Sequence, residues 1–194
     1  SICSRAALAQ LPVTRKHELL ARQEAARSSA ANNPVRDPFG GFATIGWRGL
    51  VRSSGARRVY QSPGPIYEPE GQAADYWRAA RAMAAAGFAA GDLVHNCFSY
   101  HLTPGAWMME SGAQALGCAV FPGGVGNTEQ QLAALAHLQP QAYAGTPSFL
   151  KILVEKATEA GQRLSLTKAL VSGEAFPPSL RDWFTGQGMD IYQS

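Results

Sequence analysis

The sequence predicts an α/β fold in which a mainly parallel sheet is covered by helices on both faces. The first observation is that short apolar runs alternate with amphipathic stretches from residue 74 to the end of the chain. The second is that helix start and stop signals fall between these runs. The third is size, because 194 residues with 46% hydrophobic and 16% charged side chains are enough for a well-buried core.

The elements follow from local signals along the chain. Residues 1–60 are interpreted as an N-terminal cap, with a helix over His17–Arg27 and loops at Asn32-Asn33-Pro34 and Asp37-Pro38-Phe39-Gly40-Gly41. Residues 61–194 are interpreted as the α/β domain. Its predicted helices are Ala74–Ala86, Ala106–Leu116, Thr128–Leu138, Pro147–Gly161 and Pro178–Phe184, and its predicted strands are Leu93–Phe98, Cys118–Phe121, Gln141–Ala144, Leu166–Ser172 and Met189–Tyr192.

Three helix ends carry specific capping signals. Gly87 stands where a left-handed C-terminal cap would follow the first helix of the domain. Thr128 stands three residues before Gln131, the spacing of a capping box. Thr146 followed by Pro147 predicts a hydroxyl cap with proline at the first helical position.

Charge argues against nucleic-acid binding. The net charge of +3 comes from 17 Lys and Arg against 14 Asp and Glu. Arg48, Arg52, Arg57 and Arg58 form a local basic run, but no interleaved aromatic side chains accompany it. A solvated surface is the preferred interpretation of this run.

Cysteine usage and hydropathy favour a reducing compartment. Cys3, Cys97 and Cys118 are odd in number, far apart and without a CxxC pair, so neither a disulfide framework nor a zinc site is predicted. No stretch approaches the roughly 20 apolar residues of a membrane span, and no signal peptide is recognised. We expect a cytoplasmic protein. Because the chain begins without Met and stops directly after a predicted strand, we also expect a fragment of a longer protein.

Ligands of parallel α/β sheets bind beyond the carboxyl ends of the strands, so the loops there are the candidate sites. These loops contain glycines, hydroxyls and small polar groups, whose backbone donors can approach a ligand closely. There are four of them, namely Phe98-Ser99-Tyr100-His101, Phe121 to Thr128, Gly145-Thr146-Pro147-Ser148 and Ser172-Gly173-Glu174-Ala175. Ordinary turn chemistry explains any one of them taken alone. The common nucleotide-loop, dinucleotide, nucleophile-elbow and zinc-protease signatures are absent from the sequence.

The histidines show no metal-ligand spacing. His17, His95, His101 and His137 lie far apart in the sequence. His137 is interpreted as a surface or core-edge residue and His95 as a satisfied core group. Only His101, next to Tyr100 in a strand-end loop, is placed where a ligand would bind.

The order of these motifs resembles the N-terminal portion of the phenylacetate-CoA ligase branch of the adenylate-forming enzymes. The segments that carry the resemblance are spread over most of the chain: Leu11–Lys16, Pro38–Phe42, Val94–Gly105, Gly117–Gln130, Gly145–Ser148 and Ser172–Phe176. They follow one another in the order and spacing of that family.

The resemblance implies a two-step reaction in which a carboxylic acid is adenylated with ATP and then transferred to coenzyme A, with Mg²⁺ accompanying the ATP. It implies that Tyr100, with His101 and Gly124, lines the acyl pocket. It also implies that Ser172, Gly173 and Glu174 lie near the adenine and ribose. No catalytic residue and no protein metal ligand is assigned.

The family's phosphate-gripping loop is divergent here. The family pattern Ser-Ser-Gly-Thr-Thr-Gly-Lys-Pro falls on residues 62–69, where only Ser62, Gly64 and Pro69 agree. Pro63 and Pro65 lack backbone donors, and Glu68 replaces a positive charge with a negative one. Losing two hydrogen bonds to a charged group costs about 3–6 kcal/mol, so ordinary ATP gripping is doubtful unless Mg²⁺, Arg57 or Arg58 compensates.

The sequence leaves alternatives open. The leading hypothesis is an AMP-forming acyl- or aryl-CoA ligase whose nucleotide loop has diverged, and the activity of its full-length parent is undecided. The second hypothesis is a non-catalytic module that binds an acyl or aryl ligand, or a partner chain, with the same pocket. The third is a structural α/β domain whose exposed edge pairs with a missing half, and a homodimer formed through an apolar surface would favour it.

Overall fold

A computed structural model describes residues 4–28, 37–41, 43, 45 and 55–194. The chain divides into two compact units, Ser1–Gln72 and Ala73–Ser194. The sequence-based boundary between residues 60 and 61 falls inside a strand of the first unit and stays a prediction. The predicted loop Asn32-Asn33-Pro34 and the basic residues Arg48 and Arg52 lie outside the described residues.

In the first unit, the described residues form two helices and a β-hairpin. Helix α1 spans Arg5–Ala9 and α2 spans Lys16–Ser28. Strands β1, Arg58–Ser62, and β2, Ile66–Glu70, pair antiparallel, with Ser62 opposite Ile66. The buried Gln23 side chain of α2 accepts a hydrogen bond from the backbone N–H of Tyr67 and donates one to its carbonyl, so it ties α2 to β2.

The second unit is a five-stranded parallel sheet with helices between the strands. The strands are β3 (Leu93–Asn96), β4 (Ala119–Phe121), β5 (Ala142–Gly145), β6 (Lys168–Val171) and β7 (Asp190–Gln193). Their order in the sheet is β4-β3-β5-β6-β7. The helices are α3 (Ala79–Ala85), α4 (Gly105–Ala115), α5 (Thr128–Leu138), α6 (Pro147–Glu159) and α7 (Pro178–Gly186). The predicted α/β fold with a mainly parallel sheet is confirmed.

The sheet separates two hydrophobic clusters. Tyr143 and Ala169 face one cluster, which α5, α6 and α7 cover with side chains such as Leu135, Leu153 and Phe184. Alternate residues of the same strands face the other cluster, which α3 and α4 cover. Because side chains alternate along a strand, both faces of β5 and β6 are buried, as the continuous apolar runs predicted.

One predicted helix start and one predicted helix cap are wrong, whereas the predicted start of α5 at Thr128 is confirmed. The helix predicted from Ala74 begins at Ala79, because the Asp75 carboxylate accepts a hydrogen bond from the Ala80 N–H and Arg78 has φ 61°, so the preceding residues form turns. Thr128 does not cap α5. The residue before it, Asn127, has φ 50° and makes no side-chain cap bond.

The other two capping predictions are confirmed. The Thr146 hydroxyl accepts a hydrogen bond from the Phe149 N–H, and Pro147 begins α6. Gly87 adopts φ 85° after α3. Cys97 and Cys118 are free and buried. Among the described residues, no helix combines the length and the apolar character that a bilayer span requires.

Candidate functional site

A cavity of about 260 Å³ opens beyond the carboxyl ends of β3 and β4 in the second unit. One wall is formed by Tyr100 and His101, which follow β3. The other wall is the segment that follows β4, and its lining residues are Pro122, Gly123, Gly124, Val125 and Asn127. The structure therefore brings together the three residues that the resemblance assigned to an acyl pocket, namely Tyr100, His101 and Gly124.

The Tyr100 wall is held by polar partners from β3 and α4. The Tyr100 hydroxyl donates a hydrogen bond to Glu110 Oε2 at 2.8 Å and accepts one from Asn96 Nδ2 at 3.0 Å. Its ring packs edge-on against Trp107, with the ring centroids 5.1 Å apart. Burial, reinforced by the Glu110 carboxylate, raises the pKa of Tyr100. The tyrosine is therefore a neutral, fixed surface of the cavity.

The wall that follows β4 contains Gly123 and Gly124 and is called the glycine wall. It is held by one buried side-chain amide. Gln131 of α5 donates from Nε2 to the carbonyls of Gly124, at 2.9 Å, and Gly126, at 2.8 Å. Its Oε1 lies 2.6 Å from His95 Nε2 and accepts a hydrogen bond from the Cys97 thiol at 3.1 Å. Since Oε1 can only accept, His95 carries its proton on Nε2.

Three buried ionisable groups in or next to β3 and β5 are kept neutral. Burial lowers the pKa of His95, whose ring stacks on Phe121 with centroids 5.0 Å apart. Burial raises the pKa of the Cys97 thiol to about 12, so at neutral pH it is a thiol and a poor nucleophile. Burial also raises the pKa of Tyr143 in β5. None of these three groups is among the residues that line the cavity, and their neutral state does not suit them to acid–base or nucleophilic chemistry there.

A second polar group of residues lies at the carboxyl ends of β5, β6 and β7. The Ser172 hydroxyl donates to the backbone carbonyl of Ser194 at 2.7 Å. Glu174 accepts a hydrogen bond on its side chain from the Ser148 N–H at 3.3 Å, and its backbone carbonyl accepts one from Gln193 Nε2 at 3.1 Å. Gly173 between them adopts φ 84°. The loops after β5 and β6 therefore meet, but Glu174 is not among the residues that line the 260 Å³ cavity.

The remaining two predicted site residues lie in the first unit, in the hairpin of β1 and β2. Ser62 ends β1, and its hydroxyl donates a hydrogen bond to Glu68 Oε2 at 2.7 Å. Gly64 lies in the turn between the strands, flanked by Pro63 and Pro65. The hydroxyl that the family pattern retains is thus engaged by the acidic residue that departs from the pattern.

The interpretation of His95 as a satisfied core group is confirmed for its burial and wrong for one of its ring nitrogens. His95 is fully buried, and its Nδ1 has no hydrogen-bond partner among the residues that the structure describes. His101 is exposed beside the cavity, and His137 is exposed on α5. His17 is exposed on α2. Within the described ranges, no group of three or more His, Cys, Asp or Glu side chains could hold a metal ion.

Sequence reasoning missed the residues that support the walls. Asn96, Glu110 and Gln131 lie in a strand or a helix and belong to no catalytic motif. Their signal is a polar side chain at an otherwise apolar position, since Asn96 and Gln131 are buried. Gln131 was instead interpreted as part of a helix cap.

Comparison with known proteins identifies phenylacetate-coenzyme A ligases as relatives of this chain. No family model matches the chain. The phenylacetate-coenzyme A ligase of Thermus thermophilus is 34% identical over 105 residues, which are 53% of this chain and 24% of that protein. The phenylacetate-coenzyme A ligase of Aromatoleum evansii is 29% identical over 163 residues, which are 78% of this chain and 36% of that protein.

A solved structure gives the same result for the fold. An open conformation of 2-hydroxyisobutyryl-CoA ligase, in complex with 2-HIB-AMP and CoA, matches with a TM-score of 0.73 and 26% identity. The match covers 95% of this chain and 39% of that chain. The chain thus spans between 24% and 39% of the length of these three proteins. The comparisons confirm the resemblance that the motifs suggested, because the chain is similar in sequence to phenylacetate-coenzyme A ligases and in structure to an acyl-CoA ligase.

Proposed function

We propose that the chain supplies the acid-binding part of an AMP-forming acyl- or aryl-CoA ligase. The observation that carries the proposal is the cavity between Tyr100 and the glycine wall, in a chain related to phenylacetate-coenzyme A ligases. Such an enzyme activates a carboxylic acid with ATP and transfers it to coenzyme A. The substrate class is a small aryl or acyl carboxylic acid.

The cavity suits such an acid in size and in surface. Its volume of about 260 Å³ lies just below the usual range for sites of drug-sized ligands. An aromatic ring can pack on the Tyr100 face, which Trp107 and the Glu110 hydrogen bond hold in place. The glycine wall lets a substrate approach the backbone closely because no side chain intervenes at Gly123 or Gly124.

The part of the proposal that concerns ATP binding rests on the similarity to CoA ligases. We propose that Ser172, Gly173 and Glu174 contact the adenosine part of ATP, since the loops after β5 and β6 meet there through the Glu174–Ser148 hydrogen bond. ATP, Mg²⁺ and coenzyme A are proposed co-substrates, because the related ligases use ATP and CoA. A cytoplasmic location and a homodimer stay predictions.

The hairpin residues do not fit a triphosphate. Two prolines remove backbone donors on either side of Gly64, and the Ser62 hydroxyl is already bonded to a carboxylate. Arg58 pairs with the buried Glu70, with 3.1 Å between Nη1 and Oε1. We therefore derive no phosphate-transfer step through this hairpin. The Ser62–Glu68 bond favours a second candidate function, a module that binds an acyl or aryl ligand without ATP.

Calorimetry separates the two candidates. Phenylacetate is titrated into the chain alone and in the presence of ATP and Mg²⁺, and ATP with Mg²⁺ is titrated separately. Binding of both ligands supports the ligase, whereas acid binding without ATP binding supports the module. Tyr100→Ala should abolish acid binding, and Tyr192→Ala, at an exposed position of β7, should not. A chain that is folded and binds no acid overturns both candidates.

A further inference from the structure

We propose that Gln131 is a positioning residue that fixes the glycine wall of the cavity and thereby determines which acids fit. The proposal rests on the function proposed above. It gives a role to a side chain that does not itself line the cavity.

The side chain of Gln131 is anchored at its far end. It is 3% exposed, and Oε1 accepts hydrogen bonds from both His95 Nε2 and the Cys97 thiol. Both donors belong to β3 or directly follow it, and His95 and Asn96 are fully buried. The amide plane is therefore fixed relative to the central part of the sheet. Both hydrogen bonds that Oε1 accepts come from residues in or directly after the buried strand β3.

The loop of residues 123–126 has few hydrogen bonds besides those to Gln131: the Gly123 N–H donates to the Phe121 carbonyl and the Gly124 N–H donates to the Asn96 carbonyl, both at 3.0 Å. Three of residues 123–126 are glycine, and Val125 is 57% exposed. Gly124 and Gly126 have φ of 66° and 73°, and a Cβ at either would meet nothing within 4 Å. Such a segment would sample many conformations unless its backbone were bonded. Gln131 Nε2 donates to the carbonyls of these same two glycines and, at 3.4 Å, to that of Gly123.

The backbone and the amide are also in close contact. A Cβ at Gly123 would lie 2.7 Å from Gln131 Oε1 and 3.1 Å from His95 Nε2. The loop therefore packs directly on the amide, and the position of Gln131 sets the depth of the cavity on this side. A helix-capping role does not explain these contacts, since the bonds run to β3 and to the loop.

Gln131→Glu tests the proposal with minimal change of shape. The glutamate keeps oxygen acceptors for His95 and Cys97 but loses both N–H donors to the glycine carbonyls. Gln130→Glu is the matched control, because the neighbouring residue is exposed on the same helix and the charge change is identical. Gln131→Met is a second variant that removes all the bonds without adding a charge. Melting temperatures establish which variants are folded.

The readout is selectivity between phenylacetate and the larger 2-naphthylacetate, titrated calorimetrically into the whole chain. We expect the ratio of the two dissociation constants to change about five- to tenfold in Gln131→Glu or Gln131→Met, roughly the factor for one hydrogen bond of ordinary strength. Gln130→Glu should leave the ratio unchanged. A merely structural role would weaken both acids equally, so an unchanged ratio in a folded variant overturns this inference alone. No binding of either acid by the wild-type chain overturns the proposed function as well.

Discussion

Asn96 Nδ2 donates a hydrogen bond to the hydroxyl of Tyr100 at 3.0 Å. The backbone carbonyl of the same asparagine accepts a hydrogen bond from the Gly124 N–H, also at 3.0 Å. Asn96 is fully buried at the end of β3, so a single rigid residue bonds to both walls of the cavity. Asn96 thus ties both walls of the cavity to the sheet, and Gln131 adds a second tie to the glycine wall from α5.

Tyr100→Phe should destabilise the chain. The change removes the donor to Glu110 and the acceptor for the buried Asn96, whose Nδ2 keeps its bond to the Ala106 carbonyl. We expect a loss of about 1–3 kcal/mol in the free energy of unfolding, measured by urea denaturation. Tyr192→Phe, at a position 51% exposed, should stay within about 0.5 kcal/mol of wild type. Equal effects of the two substitutions on the free energy of unfolding would contradict a stabilising role of the Tyr100 hydrogen bonds to Glu110 and Asn96.

Gly112→Ala should separate two helices. A Cβ at Gly112 of α4 would lie 2.7 Å from the backbone nitrogen of Ala80 and 2.8 Å from the Cβ of Ala79, so α3 must move. Overpacking of this kind costs about 1–3 kcal/mol. The matched control is Gly186→Ala in α7, where an added Cβ meets nothing within 4 Å and alanine should stabilise the helix. An unchanged melting temperature of the Gly112→Ala variant would contradict the close approach of α3 and α4.

His95 should make stability depend on pH. Its folded-state pKa is lowered by burial, so the unfolded chain binds the proton more readily. The contribution of neutral His95 is therefore complete above the unfolded pKa of about 6.5 and is lost as pH falls from there toward the folded pKa. His95→Gln should reduce the slope of unfolding free energy against pH between about pH 5 and 7. His137→Gln, at an exposed site, should leave that slope intact. Identical slopes for all three proteins would mean that His95 does not titrate as described.

Glu68→Lys should improve ATP binding at the hairpin. The substitution removes the carboxylate that the Ser62 hydroxyl donates to, and it restores a positive charge beside that hydroxyl. We expect the dissociation constant for ATP with Mg²⁺ to fall at least about tenfold at low ionic strength, measured by calorimetry. Glu159→Lys, exposed on α6, controls for net charge. Tight ATP binding by the wild type, or equal improvement in both variants, would show that the hairpin does not limit binding.

Much of the second unit could be predicted from sequence, because its signals are local. Leu150, Leu153, Val154 and Ala157 mark one face of α6, and all four are buried as their spacing predicts. Thr146 and Pro147 fix the start of the same helix because a hydroxyl cap and a restricted φ act within one turn. The parallel sheet follows from the alternation of such helices with short apolar runs.

What the sequence could not reveal depends on contacts between distant segments. Asp75 competes for the start of α3 by bonding to Ala80, which periodicity alone does not show. Gln131 has the spacing of a cap residue, but its amide is taken up by His95, 36 residues away, and by the loop before α5. The hairpin of β1 and β2 was missed because Pro63, Pro65 and Pro69 obscure the usual strand pattern.

The location of a bound acid tests the account most directly. A crystal of the chain with 4-bromophenylacetate, measured at the bromine absorption edge, gives an anomalous peak at the ring of the acid. The account predicts this peak between the Tyr100 ring and the backbone of Gly124. A peak elsewhere, such as the groove between Val154 and Met189, with none beside Tyr100 would contradict the proposal that this cavity is the acid site.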